Sequence, residues 1–151
     1  MKVVFLDIDG VLNSEQYIRE CDGCGIVIDP SKMVLLKQIV DATGAKIVLS
    51  TSWREHWSKD DTQCDSTGVL MNSIFGAYGL QIFDKTPQLH TRREEEIRNW
   101  LDEHPEVENF VVLDDMLLSG EFLTGHFVKT SSYFGGLDEM DVRNAIGILN
   151  S

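Results

Sequence analysis

Carboxylates and hydroxyls stand at the ends of three apolar runs in this 151-residue chain. Asp7 and Asp9 close the first run, Ser50, Thr51, Ser52 and Arg54 follow the second, and Asp114 and Asp115 follow a later one. Carboxylates held close together repel by on the order of kcal/mol per pair near a protein surface, an arrangement tolerated when a cation offsets it. A donor set of oxygens, without cysteine or histidine, suits Mg²⁺, which keeps several waters and typically binds one or two carboxylates plus a substrate phosphate. Asp7 and Asp9 would point the same way if the chain stayed extended through both. An aspartate after a strand is also an ordinary cap or turn residue, so the chemistry rests on convergence and not on any single side chain. A calcium loop of the EF-hand kind is excluded, because its glycine stands sixth between helices, whereas Gly10 follows Asp9 directly after a strand.

Convergence requires elements that end side by side. Lys2 to Ile8 is nearly all apolar and bulky, as a strand buried on both faces reads, and such strands belong to parallel sheets. Asp29 and Pro30 supply an N-cap and a first-turn proline, Met33, Leu36 and Val40 recur at helical spacing, and Gly44 stops the helix. Lys46 to Ser50 is a second buried run, Thr67 to Tyr78 a helix, and Leu80 to Phe83 a short third strand. Thr91 with Glu94 reads as a capping box opening a helix striped by Ile97, Trp100 and Leu101. Phe110 to Leu113 and His126 to Lys129 are strands four and five, and Asp138 caps a closing helix whose stripe is Val142, Ala145, Ile146 and Leu149. Alternating strands and helices predict an α/β three-layer sandwich with a Rossmann-like, mainly parallel sheet of about five strands. Ligands in such folds sit at the carboxyl ends of the strands, where the acidic and hydroxyl residues stand.

Composition bounds the partners. The chain has 42% hydrophobic and 25% charged residues and few prolines, which fits one globular domain over residues 1–151 and excludes disordered and fibrous classes. A formal net charge of −12 argues against binding nucleic acid or membrane through a broadly basic surface. The opening apolar run is too short to span a bilayer and lacks a cleavage pattern, so a cytoplasmic protein without a membrane partner is expected. Three cysteines do not form a disulfide framework and fit a reducing compartment. The oligomeric state is not legible.

The runs Phe5-Leu6-Asp7-Ile8-Asp9-Gly10-Val11-Leu12-Asn13, Val48-Leu49-Ser50-Thr51-Ser52-Trp53-Arg54 and Val111-Val112-Leu113-Asp114-Asp115 together resemble the motifs of the haloacid dehalogenase (HAD) superfamily of phosphatases. More narrowly, Asp-Gly-Val-Leu-Asn and Ser-Trp-Arg are similar to the small HAD domains of RNA-repair proteins. The resemblance implies Asp7 as nucleophile, forming an aspartyl-phosphate, and Asp9 as the acid that protonates the leaving oxygen and then activates water. It implies a phosphate-binding hydroxyl at Thr51, with Ser50 and Ser52 as rivals, and Mg²⁺ held by the side chains of Asp7, Asp114 and Asp115 with the Asp9 carbonyl. The usual third-motif lysine has no counterpart, and Arg93 or Arg92 is the available cation. Arg54 is expected either to contact phosphate or substrate or to form a surface salt bridge.

Only Val11 to Pro30 and Asp84 to His90 stand where such enzymes insert cap domains, so a capless enzyme with a short flap at about 11–29 is expected. Asp22-Gly23 signals a type I′ hairpin in that flap. Cys21 and Cys24 could join Cys64 and His56 or His90 around zinc, or remain reduced thiols or a reversible disulfide. The function expected is a Mg²⁺-dependent phosphomonoester hydrolase acting on a small molecule or a nucleic-acid end. The alternatives are a phosphotransferase or a non-catalytic phospho-accepting signalling domain; the latter places its accepting aspartate on a middle strand, where Ser50 to Ser52 stand. Binding a polynucleotide end would need Arg54, Lys59, Arg92 and Arg93 to gather beside the strand ends.

Overall fold

The computed structural model describes residues 1–21, 25–133 and 135–151. Its centre is β1 (Lys2–Leu6), which pairs in parallel with β2 (Lys46–Leu49) on one side and β4 (Asn109–Asp114) on the other. With β3 (Ile82–Lys85) and β5 (Phe127–Lys129) at the edges, the five-stranded parallel sheet has the order β3-β2-β1-β4-β5. Alternation along β1 divides the core. Val4 and Leu6 face helices α2 (Pro30–Thr43), α3 (Ser66–Ala77) and α5 (Glu139–Leu149), whereas Val3 and Phe5 face α4 (Arg93–Asp102) through Ile97 and Trp100. This is the expected three-layer, Rossmann-like sandwich, with every residue of β1 after Lys2 buried because both faces are covered.

The chain runs outward from β1 to β2 and β3, then returns to place β4 on the other side of β1. The loops leaving β1 and β4 therefore part in opposite directions, and the crevice between them is where open parallel sheets bind ligands. Both acidic pairs of the sequence stand at that crevice.

Several local expectations hold. Asp29 caps α2 through Ser31 N–H, and Gly44 closes it with φ of 70°. Asp138 and Asp141 form a reciprocal capping box on α5. Others are corrected by tertiary contacts. Strand β1 stops at Leu6, and the amides of Val11 and Leu12 both donate to Ile8 O, so the backbone turns and Asp7 and Asp9 do not share a direction. Leu80 belongs to the end of α3, its amide donating to Phe75 O, so the third strand begins later than expected, at Ile82. The Thr91–Glu94 capping box is absent: α4 starts from Arg92, which makes no side-chain cap bond. That start sets Arg93 and Glu96, three residues apart on one helix, against separate tertiary partners. Between β1 and α2 lies an unanticipated short helix, α1 (Glu15–Glu20), capped by Ser14 and without buried residues. The Asp22-Gly23 hairpin lies outside the described residues.

Candidate active site

The crevice between β1 and β4 is floored by Asp7, Asp114 and Asp115, each offering one oxygen within 4.8 Å of the others. Asp114 is fully buried and Asp7 is 4% exposed. A single nitrogen, Arg93 Nη1, lies 3.1 Å from Asp7 Oδ2 and 2.7 Å from Asp114 Oδ2, so the helix after β3 sends one cation between two carboxylates. Arg92 is exposed at the helix start. Of the two arginines left open by sequence, Arg93 is the one that reaches the acidic crevice.

One guanidinium does not neutralise three acids. Burial pushes the Asp7 carboxyl up to about 7; Arg93 and the Ile8 amide oppose the rise, and Asp114 and Asp115 add to it. Burial and the neighbouring Asp114 likewise raise Asp115. Burial works against the charge of Arg93, but Asp7 and Asp114 outweigh it and hold the guanidinium above its ordinary value. An excess of buried negative charge with oxygen donors alone is chemistry that a hard divalent cation fits, so the cluster could hold a metal ion.

Gly10 makes room for this cluster. Its φ is 82°, and a Cβ there would collide with the Asp115 carboxylate. Thr130 Oγ1 donates to Gly10 O at 2.6 Å, tying the turn to the end of β5. Asp9, unlike Asp7, is exposed, and its carboxylate lies outside the acidic cluster. Oδ1 accepts from Asn13 Nδ2 at 3.1 Å and Oδ2 from Trp53 Nε1 at 2.9 Å. Neither Asn13 nor Trp53 stands out in the sequence, because an amide and an indole carry no charge that marks them as partners of a carboxylate.

After β2 the three hydroxyls separate. Ser50 is fully buried, and its Oγ has no hydrogen-bond partner among the described residues. Thr51 Oγ1 accepts the Trp53 amide at 3.3 Å, which leaves its own O–H free to donate. Ser52 is exposed. Arg54 turns inward: Nε donates to Thr86 O, Nη1 to Thr51 O and Nη2 to Glu96 Oε1 at 2.9 Å. The second oxygen of Glu96 accepts from the Leu89 amide. Arg54 thus forms a salt bridge, but a buried one and not the surface pair expected, and it joins the loop after β2, the loop after β3 and α4. Glu96 was missed because an acidic residue in a first helical turn ordinarily reads as a partner of the helix dipole.

The four cations that binding a polynucleotide end would need do not gather into a free basic patch. Arg54 and Arg93 are paired with buried acids, and Lys59 lies over the Phe83 ring, 4.5 Å from its centroid. Lys46, at the opposite end of β2 from the crevice, shares that ring. The proposed zinc set does not assemble among the described residues either. Cys64 exchanges hydrogen bonds with the backbone of Ser58, His56 Nδ1 meets Asp65 at 2.6 Å, and the acidic cluster is the one potential metal-ligand group among the described residues. Cys24 lies outside them.

No helix among the described residues is long and apolar enough to cross a membrane. No curated protein and no solved structure matches the chain. The family described as the HAD domain in Swiss Army Knife RNA repair proteins matches residues 3–142. That span runs from within β1 into the first turn of α5 and takes in the whole acidic crevice, and on its strength the chain belongs to the HAD domains of Swiss Army Knife RNA repair proteins.

Proposed function

We propose that the protein is a Mg²⁺-dependent phosphomonoester hydrolase that works through an aspartyl-phosphate on Asp7 and removes the terminal phosphate from a nucleic-acid end. The observation that carries this reading is the buried Asp7 at the sheet's switch point, clustered with Asp114 and Asp115 and bridged to Asp114 by Arg93. Phosphoryl transfer asks chiefly for positioning and for neutralisation of charge spread over the phosphoryl oxygens, and this crevice is arranged for both. The residues 1–151 act as one domain without a cap, with the stretch at about 11–29 as a flap at the mouth.

In the first step an Asp7 oxygen attacks phosphorus, and the bond to the leaving oxygen breaks as Asp9 gives that oxygen its proton. In the second, Asp9 takes a proton from water, whose oxygen attacks the same phosphorus, releasing phosphate and restoring the Asp7 carboxylate. Thr51 donates its free O–H to a phosphoryl oxygen, with Ser50 next to it as the remaining candidate. Arg93 favours the ionised form of Asp7 against its burial and faces the transferred group. The side chains of Asp7, Asp114 and Asp115, with the Asp9 carbonyl, would hold Mg²⁺, which supplies neutralising charge for the phosphoryl oxygens when bound.

An open mouth admits the end of a long chain, and membership of an RNA-repair family supports a nucleic-acid substrate. With Arg54 paired to Glu96, Lys59 over the Phe83 ring and Arg93 confined to the acidic crevice, the enzyme grips the terminal nucleotide and not the strand behind it. The decisive assay is phosphate release from a 3′- or 5′-phosphorylated oligoribonucleotide and from the matching mononucleotide, with Mg²⁺ and with EDTA. Release that requires Mg²⁺ and no added acceptor is the expected result. Absence of release from every phosphomonoester tried, or release undiminished by chelation, would refute the reading.

A further inference from the structure

We propose that Trp53 is a positioning residue for the hydrolysis, its indole N–H holding the Asp9 carboxylate where the leaving oxygen departs; this rests on the function proposed above. Asp9 is the one acid of the motif that is exposed, and it lies outside the cluster of Asp7, Asp114 and Asp115. An exposed aspartate samples several rotamers, whereas a proton donor must be within hydrogen-bond reach of one particular oxygen. Both Asp9 oxygens are instead held by donors anchored elsewhere. Asn13, fully buried, donates to Oδ1 while its own oxygen accepts the Gly10 amide and its Nδ2 also reaches Val27 O at 2.7 Å. Trp53 reaches Oδ2 from the loop after β2, with its ring partly packed on the core and its amide held by Thr51.

The indole is chemically suited to the task. Its N–H is a donor only, so it fixes the carboxylate without taking up the proton destined for the leaving group. Each Asp9 oxygen retains a second lone-pair site, so the clamp does not block proton transfer. The same loop carries Thr51, so one short segment would register the acid at the leaving-group side against the hydroxyl at the phosphoryl oxygens.

A general acid matters when the leaving group is a poor one. An alkoxide from a ribose or glycerol needs the proton, and p-nitrophenolate does not. The test compares Trp53→Phe with wild type on glycerol 2-phosphate and p-nitrophenyl phosphate, reading kcat/KM, which reports the first, leaving-group-dependent step. Loss of a hydrogen bond to a charged group predicts a fall of roughly ten- to hundred-fold on the alkyl ester, with the aryl ester changed by less than about threefold. An equal fall on both esters, or no fall on either, overturns the proposal while leaving the hydrolase reading intact. A wild type inactive on both overturns the two together. Should the variant unfold, the indole N–H resonances of the wild-type protein decide instead: Asp9→Asn must shift the Trp53 signal and leave those of Trp57 and Trp100, which bond Asn72 and Asp84, in place. An unmoved Trp53 signal overturns the proposal.

Discussion

Burial raises the Asp7 carboxyl to about 7 against the opposing pull of Arg93, which makes its replacement informative twice over. Asp7→Asn should abolish phosphate release by several orders of magnitude while the protein stays folded, because the nucleophile is gone and its shape is kept. Its effect on stability has the opposite sign. The folded carboxyl is raised from 3.8 to about 7, so its favourable contribution is present at acid pH and is lost as pH rises through 7. Metal-free Asp7→Asn should therefore melt above the metal-free wild type at pH 8, by on the order of a few degrees, and not at pH 4. Thermal unfolding in EDTA across that range checks it. Added Mg²⁺ should then raise the melting temperature of the wild type more than that of the variant. Arg93→Ala should remove most activity, and Arg93→Lys should recover part of it, since lysine returns the charge but not the rigid guanidinium whose Nη1 sits between Asp7 and Asp114.

At the level of elements, the Arg54–Glu96 pair fastens α4 to the loops beyond β2 and β3 and so sets where Arg93 points. Breaking such a pair from one side leaves a buried charge behind, at a cost of about 3–5 kcal/mol. Arg54→Met should show that loss in chemical denaturation, and Arg54→Met with Glu96→Gln should recover a good part of it, because the stranded carboxylate is gone. A double variant as unstable as the single would argue against the clamp. Gly10→Ala tests the turn after β1. Its Cβ would enter the space of Asp115, and its φ is one that non-glycine residues rarely adopt, so stability should fall by about 1–3 kcal/mol and the Mg²⁺ requirement should rise.

For the molecule as a whole, a net charge of −12 opposes any polyanion, and Arg54 and Arg93, two of the four cations that might have offset it, are paired with buried acids. Binding of a phosphorylated oligonucleotide should accordingly show a shallow salt dependence, with a slope of roughly −0.7 for each phosphate contacted and only one or two contacted. Its kcat/KM should stay within about tenfold of that for the mononucleotide, since efficiency follows contacts made in the transition state and the strand beyond the end adds few. Titration at several salt concentrations measures the slope, and a steep one would reveal a basic track that the fold does not provide.

Sequence alone determined the frame. The two-faced burial of Val3 to Leu6, the caps at Asp29 and Asp138, and carboxylates placed just beyond strand ends all follow from local pattern, because burial period and capping chemistry act over a few residues. The three acids at the crevice were legible for the same reason. What each polar group bonds to was not. Arg54 finds Glu96 42 positions away, and Trp53 finds Asp9 44 positions away. Nothing in a local pattern distinguishes an arginine that meets phosphate from one that meets a buried glutamate, or Arg92 from Arg93. Those choices follow from where α4 begins and how the loops after β1, β2 and β3 pack together. Only the tertiary structure brings those segments within hydrogen-bond reach, where an unpaired buried charge costs more than any local preference can offset.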